Sequence, residues 1–324
     1  MAVYTEVGFD DAAALVASVG LGVLHKLTPC AGGIENTNYF IDTAAGRFVL
    51  TVFERLRADE LPFYLQLMKH HADHALPVPR PHPAADGSLV LAFAGKPAAI
   101  VDRLPGEHHL APDGDDCASV GAVLARLHLS ARDFAPAQPN LRGLAWWNET
   151  VPVVVPHLAS AQAELMNDEL AYQRHVAASS AYATLPRAAI HGDLFRDNVM
   201  FVERDLAGVF DFYFAGVDTL LFDIAVALND WCIDLASGRL DEDRAHAFVA
   251  AYESVRPLET AELRLLPALM RAAAFRFWLS RAWDQHLPRD AVMLKAHDPD
   301  HFERVLVERR DAPWHPVRSA RAAP

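Results

Sequence analysis

The strongest constraint on the fold is a change of sequence pattern at Leu104-Pro-Gly106. Before this point, short runs of β-forming residues alternate with turn residues, and two segments have a helical spacing of apolar residues. The hairpins are predicted at 38–53 and 88–101, and the helices at 12–19 and 58–75. We therefore expect residues 1–104 to form a small α+β unit dominated by antiparallel strands.

After Gly106 the pattern becomes helical, and only short strands interrupt it. Helices are predicted at 117–129, 158–179, 219–235, 244–252 and 261–286, and strands near 188–191, 199–202 and 208–212. This pattern indicates a larger helical unit over residues 105–311, followed by a flexible tail at 312–324 that is rich in Pro, Arg and Ala. Two unequal units imply a cleft, where small molecules usually bind.

The charge balance excludes some classes of partner. The chain has 324 residues, of which 52% are apolar, and its 42 acidic and 29 basic residues give a net charge of −13. Such a charge argues against binding to nucleic acid or to an anionic membrane. It does not exclude a phosphate-bearing ligand, because local charge can oppose the global sign.

The sequence also indicates the cellular compartment of the protein. Cys30, Cys117 and Cys232 are far apart and form neither a metal-binding spacing nor a disulfide framework. The N-terminus lacks the basic region of a signal peptide, and the longest apolar stretch, from Ala12 to Leu24, is too short to span a bilayer. We therefore expect a cytoplasmic protein.

The most informative motif is His191-Gly-Asp-Leu-Phe-Arg-Asp-Asn198, followed by Asp211 at the end of an apolar strand. In phosphoryl transfer a carboxylate orients the attacking hydroxyl and accepts its proton, while an amide oxygen and a second carboxylate hold Mg²⁺. Asp193 fits the first role, and Asn198 and Asp211 fit the second. Ordinary turn residues could produce part of this pattern, but the combined spacing favours catalysis. His191 and Asp223 are expected to brace the loop by hydrogen bonds.

A second motif is Gly32-Gly33-Ile-Glu-Asn36, which precedes the first predicted hairpin. Adjacent glycines let the backbone approach a polyphosphate closely, with peptide N–H groups as donors. By itself the pair could be a simple tight turn, and it is neither a Walker loop nor a Rossmann fingerprint. Its position in the small unit favours a nucleotide-binding loop.

Together these motifs resemble the aminoglycoside-phosphotransferase-like kinases, which share the protein-kinase fold and phosphorylate small alcohols. The closer likeness is to bacterial homoserine kinases. The matching segments are Gly33-Ile-Glu-Asn-Thr-Asn-Tyr-Phe, Phe48-Val-Leu-Thr-Val-Phe-Glu, His191 to Asn198, Phe210-Asp-Phe-Tyr-Phe-Ala, Leu228-Asn-Asp-Trp-Cys and Arg276-Phe-Trp-Leu-Ser-Arg. The resemblance implies an α+β, bilobal protein-kinase-like fold with a small antiparallel-β N-lobe and a larger, mainly helical C-lobe. It also implies transfer of the γ-phosphoryl group of ATP, with Mg²⁺, to the side-chain hydroxyl of L-homoserine.

The resemblance implies nucleotide contacts in the first unit and shows one departure. The loop from Gly32 to Asn36 would cover the phosphates, and adenine would lie against the backbone of Val101 and Arg103. Kinases of this fold usually have a lysine where this chain has Thr51, paired with a glutamate on the next helix. Glu60 has the expected helical position but no lysine partner. Either magnesium and the loop are enough to neutralise the phosphate charge, or a nearby arginine takes the place of the lysine. The candidates are Arg47, Arg55 and Arg57.

An amino-alcohol acceptor needs a cation for its carboxylate and an acid or amide for its ammonium group. Arg276 and Arg281 lie on one long helical segment, and arginine suits bidentate carboxylate binding. Asp230 and Trp231 lie on another helix. Each of these could equally be a core anchor or part of a solvated face. Two alternative functions remain open: a kinase of another small alcohol (choline, an aminoglycoside or hydroxylysine), and a nucleotide-binding pseudokinase supported only by Thr51.

Overall fold

The computed structural model describes residues 5–30, 36–287, 298 and 300–316, so that Gly32 and Gly33 lie outside the described residues. The chain divides into two compact units. The first comprises Met1–Gly106 and Ala207–Phe210, and the second Glu107–Leu206 and Asp211–Pro324. Residues 207–210 belong with the first unit because the Val209 N–H donates to the Pro77 carbonyl at 2.8 Å.

The described part of the first unit contains one antiparallel sheet and two helices. These elements are α1 (Phe9–Ser18), β1 (Leu24–Pro29), β2 (Thr37–Thr43), β3 (Gly46–Val52), α2 (Pro62–Asp73), β4 (Leu91–Phe93) and β5 (Lys96–Asp102). The strand order is β1-β2-β3-β5-β4. The two predicted hairpins are confirmed as β2–β3 and β4–β5. Strand β1 was not predicted, since its sequence, Leu-His-Lys-Leu-Thr-Pro, has few β-forming residues; its Lys and Pro suit a strand at the sheet edge.

The two faces of this sheet differ in polarity because successive side chains point to opposite sides. Ile41 and Leu50 belong to an apolar cluster that includes Ala12 of α1. Thr51, which follows Leu50, points to the opposite face. There its hydroxyl donates a hydrogen bond to the Asn38 side-chain oxygen at 2.7 Å. The position that usually carries a lysine is therefore part of a neutral hydrogen bond between β2 and β3.

Helix α2 begins later than predicted, at Pro62, because proline is accommodated in a first helical turn, where its missing N–H is not needed. Glu60 precedes the helix in a turn, with its N–H donating to the Arg57 carbonyl at 3.0 Å. Its carboxylate accepts a hydrogen bond from the Arg57 N–H at 2.8 Å. The prediction that Glu60 lies on this helix is wrong.

The second unit is mainly helical. Its helices are α3 (Gly114–Ser130), α4 (Leu144–Val154), α5 (Ser160–Ala177), α6 (Ser180–Ala183), α7 (Leu220–Trp231), α8 (Glu242–Val255), α9 (Thr260–His286) and α10 (Asp300–Asp311). Short strands β6 (Arg187–Ile190), β7 (Val199–Val202) and β9 (Gly216–Thr219) lie in this unit, and β8 (Asp205–Val209) ends in residues assigned to the first. Strand β6 pairs with β9 in an antiparallel manner.

Helix α7 forms the centre of the second unit, because every residue from Leu220 to Trp231 is buried. Helices α3 and α8 pack closely at Gly121, where a Cβ atom would lie 2.3 Å from the Phe248 carbonyl oxygen. Any larger side chain at position 121 would therefore push these helices apart.

The end of the chain differs from the prediction. Helix α10 was not predicted, because its sequence has few apolar residues; Phe302, Val305 and Leu306 are buried on one side of it. Trp314 is only 7% exposed and its ring contacts that of His246, so the chain is packed beyond residue 312. The predicted start of the flexible tail is therefore too early. Among the described residues, no helix combines the length and apolar character needed to cross a membrane.

Candidate active site

The loop from His191 to Asn198 joins β6 to β7, and its last three residues, Arg196–Asn198, form a 3₁₀ turn. Gly192 has a φ of +76°, and a Cβ atom there would lie 2.8 Å from the Phe214 carbonyl oxygen. Both observations require glycine at this position. The Asp193 N–H lies 3.2 Å from Nδ1 of His191, so the loop is braced by its own histidine, as predicted.

Asp223 of α7 holds the start of this loop. Its carboxylate accepts hydrogen bonds from the N–H groups of His191 and Gly192, both at 2.8 Å. Nε2 of His128, from α3, lies 3.0 Å from the same carboxylate. Burial raises the pKa of Asp223, but the hydrogen bond from His128, electrostatic attraction to the His128 and His191 rings, and the hydrogen bond from the Gly192 N–H together outweigh it and lower the pKa. The predicted bracing role of Asp223 is confirmed.

The other end of α7 holds the end of the loop. The Asp230 carboxylate accepts hydrogen bonds from the Arg196 N–H at 2.8 Å and from its Nε at 3.0 Å. The Arg196 guanidinium also donates to the Leu110 carbonyl at 2.9 Å. The Trp231 indole N–H donates to the Leu194 carbonyl at 3.1 Å.

These contacts change the role we assign to Asp230 and Trp231. Trp231 is fully buried, and its indole N–H donates to the loop. It therefore has no exposed surface that could contact the phosphoryl-acceptor substrate. Asp230 is 8% exposed and paired with Arg196. Both residues position the loop, and the expectation of a direct substrate contact by Trp231 is incorrect because its ring is in the core.

Asp193 lies among charged groups of both signs. Burial raises the pKa of the Asp193 carboxyl well above its ordinary value; the Arg276 guanidinium lowers it, and Asp211, Asp197 and Asp230 raise it further. Such a carboxyl is a better proton acceptor than an exposed aspartate, provided that it stays ionised at the working pH. The arrangement therefore suits a general base, with Arg276 as the cation that keeps it charged.

The two predicted magnesium ligands fit a hard cation. The Asn198 side-chain amide donates to the Asp193 backbone carbonyl at 2.8 Å and approaches its carboxylate at 3.4 Å, which leaves the amide oxygen as an acceptor. Asp211 follows β8 with a φ of +66°, a conformation that aspartate tolerates better than most residues. Its charge acts on Asp193, as noted above. An amide oxygen and a carboxylate beside a second carboxylate are the oxygen donors that Mg²⁺ prefers.

Arg276 and Arg281 of α9 lie beside an aromatic cluster formed by Phe195, Phe277 and Phe302. The ring centroids are 4.5 Å apart for Phe195 and Phe277, and 5.0 Å apart for Phe277 and Phe302. The Arg276 guanidinium stacks 3.7 Å from the Phe277 centroid, and that of Arg281 lies 4.5 Å from Phe302. Arg276 is 3% exposed, whereas Arg281 is half-buried. The loop, α9 and α10 thus bring two cations toward Asp193.

Two residues of this region, Asp197 and His301, were missed by the sequence analysis. Asp197 is exposed, and its charge acts on Asp193, Asp230 and Arg281. The His301 ring of α10 contacts the Phe302 ring edge to face, and burial together with the charge of Arg281 lowers the pKa of His301 to about 4. Asp197 lies inside the recognised motif and could have been considered. His301 carries no sequence signal, because only the folding of α10 brings it to this site.

Of the nucleotide residues predicted in the first unit, Val101 lies in the sheet, and Arg103 and Asn36 lie next to strands, while Gly32 and Gly33 are outside the described residues. Val101 of β5 pairs with Val49 of β3. The Arg103 N–H donates to the Arg47 carbonyl at 3.1 Å, and its guanidinium lies 3.8 Å from the Phe40 ring centroid. This N–H is therefore used within the unit. Asn36 accepts a hydrogen bond from the Glu54 N–H at 3.4 Å.

The sequence profile of the phosphotransferase enzyme family matches residues 26–258 of this chain. The chain therefore belongs to this family, and it is a small-molecule phosphotransferase. Among its curated relatives, the homoserine kinase of Polaromonas naphthalenivorans (strain CJ2) is 62% identical over 314 residues, which cover 97% of this chain and 99% of that protein. The homoserine kinase of Paraburkholderia xenovorans (strain LB400) is 51% identical, with coverage of 95% and 96%. Within the family, the chain thus falls among the homoserine kinases.

Solved structures show the fold. Amicoumacin kinase hAmiN, in complex with AMP-PNP, Ca²⁺ and Ami, is similar with a TM-score of 0.67 and 18% identity, covering 93% of this chain and 92% of that one. Spectinomycin phosphotransferase APH(9)-Ia, in complex with ADP and spectinomycin, has a TM-score of 0.66 and 11% identity, covering 95% and 99%. The α+β, protein-kinase-like fold that the sequence predicted is confirmed.

Proposed function

We propose that this protein transfers the γ-phosphoryl group of ATP to the side-chain hydroxyl of L-homoserine. The observation that carries the proposal is the Asp193 carboxylate on a loop braced at both ends by α7, with the charge of Arg276 acting on it. The names of the 62% and 51% identical relatives support homoserine as the acceptor. The expected setting is the cytoplasm, with no nucleic-acid or membrane partner.

In this mechanism Asp193 orients the acceptor hydroxyl and takes its proton. The hydroxyl oxygen forms a bond to the γ-phosphorus, while the bond from that phosphorus to the β,γ-bridging oxygen breaks and its electron pair leaves with ADP. Asn198 and Asp211 would hold Mg²⁺, which when bound neutralises phosphate charge. The chain's own contribution is therefore the position and ionisation of Asp193.

The acceptor would be recognised through its two charged ends. Arg281 is more exposed than Arg276 and is proposed to bind the carboxylate, with Arg276 maintaining the charge of Asp193. The ammonium group is assigned to the exposed Asp197, because Asp230 already pairs with Arg196. Opposite charges on Arg281 and Asp197 match a zwitterion better than a polycation.

The nucleotide would be bound by residues of the first unit. We retain the loop of Gly32, Gly33 and Asn36 for the phosphates and the strand around Val101 and Arg103 for adenine. Glu60 is not retained as a nucleotide-site residue, since it lies in a turn where it pairs with Arg57.

An acceptor panel with coupled detection of ADP tests this function. We expect turnover with L-homoserine and Mg²⁺, none after chelation of the metal, and far lower kcat/KM with choline, hydroxylysine or an aminoglycoside. Asp193→Asn should reduce kcat by about 10²- to 10⁴-fold, the range typical of a general base, while ADP binding by calorimetry persists. Asp205→Asn, which changes an exposed aspartate, is the matched control. Preference for another alcohol would reject the homoserine assignment, and an active Asp193→Asn variant would reject the catalytic one.

A further inference from the structure

A line of buried polar side chains connects the start of α9 to the catalytic loop. The Arg256 guanidinium donates to both carboxylate oxygens of Glu262 at 3.0 Å and to the Tyr252 hydroxyl at 3.1 Å. The Tyr252 hydroxyl lies 2.8 Å from Nδ1 of His128, whose Nε2 contacts Asp223. All five side chains are at most 9% exposed. Water therefore offers these groups little alternative hydrogen bonding, and each contact has a determinable direction.

The direction of the hydrogen bonds follows from the chemistry of the groups. A guanidinium has only donors, so the Tyr252 oxygen must accept from Arg256. Among the described residues, Nδ1 of His128 is the acceptor within reach of the single Tyr252 proton, so satisfying this buried proton requires Nδ1 to be unprotonated. His128 consequently carries its proton on Nε2 and donates it to the Asp223 carboxylate. A charged His128 would leave the buried Tyr252 proton without this acceptor, at a cost that buried groups rarely bear.

We propose that Tyr252, oriented by Arg256, is a positioning residue for phosphoryl transfer, because it fixes His128 as the neutral Nε2–H tautomer. In that form His128 supplies the third hydrogen bond to Asp223, whose other two are to the His191 and Gly192 N–H groups. These two peptide groups directly precede Asp193. Tyr252 thus acts on the catalytic carboxylate through three intervening contacts and touches neither substrate.

The inference rests on the proposed kinase activity but not on the identity of the acceptor. Tyr252→Phe removes one oxygen from a fully buried ring. We expect kcat to fall about tenfold, the lower end of the loss that follows removal of an outer hydrogen-bond partner. The KM values for ATP and the acceptor should be unchanged, since no substrate contact is altered. Tyr172→Phe on α5, outside this line of contacts, is the matched control.

A second measurement reads the tautomer directly. In histidine labelled with ¹⁵N, the spectrum of the wild-type protein should show His128, assigned by its loss in His128→Gln, with a protonated Nε2 and an unprotonated Nδ1. In Tyr252→Phe this single tautomer should give way to a mixture. An imidazolium or an Nδ1–H form in the wild type would overturn the proposal, even if a variant proved unstable.

A double-mutant cycle separates positioning from general stability. A glutamine amide at position 128 presents an N–H donor near the place of Nε2 and does not depend on a tautomer. In the His128→Gln background, Tyr252→Phe should therefore change kcat less than twofold, against about tenfold in the wild type. Equal losses in both backgrounds, or a similar loss in Tyr172→Phe, would contradict the inference. The kinetics use whichever acceptor the panel identifies, so that failure of the homoserine assignment leaves this test intact.

Discussion

At the level of single residues, the chemistry of Asp193 depends on the balance between burial and the charges around it. Burial and the neighbouring carboxylates raise its pKa, and Arg276 opposes them. Arg281 also interacts with the charge of Asp193, but it is more exposed than Arg276. Its guanidinium donates to the Asp298 carbonyl at 3.1 Å. Arg276 and Arg281 are therefore expected to serve different steps.

Substitution of each arginine should separate these roles. Arg281→Gln removes a carboxylate partner, so we expect the KM for the acceptor to rise about ten- to a hundredfold, the cost of a charge-assisted hydrogen bond, with kcat little changed. Arg276→Gln removes the cation that lowers the pKa of Asp193, so the acid limb of kcat should move to higher pH. Steady-state kinetics against pH measure both. Arg264→Gln, exposed on the same helix, should leave both parameters unchanged.

The lowered pKa of His301 should make the stability of the protein depend on pH. Burial and the charges of Arg281, Arg304 and Arg196 lower its pKa from 6.5 to about 4, with Asp298 opposing. Between these values the unfolded chain binds more protons than the folded one, so the free energy of unfolding decreases as the pH falls through this window. From pH 7 to 5, the wild type should lose about 1 kcal/mol more than His301→Gln, with allowance for partial exposure. Urea denaturation measures this difference, and an equal loss in both proteins would contradict it. His175→Gln, at an exposed position, is the control.

At the level of elements, α7 and α10 organise the site. Helix α7 holds both ends of the catalytic loop, through Asp223 at one end and Asp230 with Trp231 at the other. Helix α10 is tied to α7 by Arg309, which is 1% exposed and donates from Nε to the Asn229 side-chain oxygen at 2.9 Å. This link places His301 and Phe302 beside the loop.

Loss of the Arg309–Asn229 hydrogen bond between α10 and α7 should lower the stability of the protein. Arg309→Met removes the buried guanidinium, leaves the Asn229 oxygen without this donor and removes the cationic partner of the Glu308 carboxylate, which among the described residues keeps only the Leu240 N–H. We expect the free energy of unfolding to decrease by about 3 kcal/mol, as for other broken buried ion pairs. Arg304→Met on the same helix removes an exposed pair at 3.9 Å and should cost less than about 1 kcal/mol. Chemical denaturation of both variants gives the comparison, and similar losses would refute the structural role.

At the level of the whole molecule, the net charge of −13 restricts the partners. A polyanion with many phosphates is repelled by the overall field, whereas a single nucleotide interacts with local groups. We expect no binding to a labelled DNA duplex in low salt by fluorescence anisotropy, under conditions in which ADP with Mg²⁺ binds and raises the melting temperature. Measurable DNA binding would contradict this expectation.

Much of the fold was predictable because its signals are local. The hairpins β2–β3 and β4–β5 and the helices α3, α5, α7, α8 and α9 follow from periodicity and turn residues. Strands β1 and β9 and helices α4, α6 and α10 were missed, since their own patterns are weak or short and contacts with distant segments stabilise them. The start of α2 was misplaced, although Pro62 was a usable signal.

The sequence by itself determined the class of fold and the reactive groups, because the spacing of Asp193, Asn198 and Asp211 within one stretch is a local property. Only the tertiary structure decided which side chains surround Asp193. Arg276 lies more than eighty positions away in the sequence, and its charge affects the Asp193 carboxyl because folding brings them close together. Tyr252 and Arg256 likewise act through contacts between helices. Coulomb interactions and burial depend on distances in space, which the order of residues along a chain does not specify.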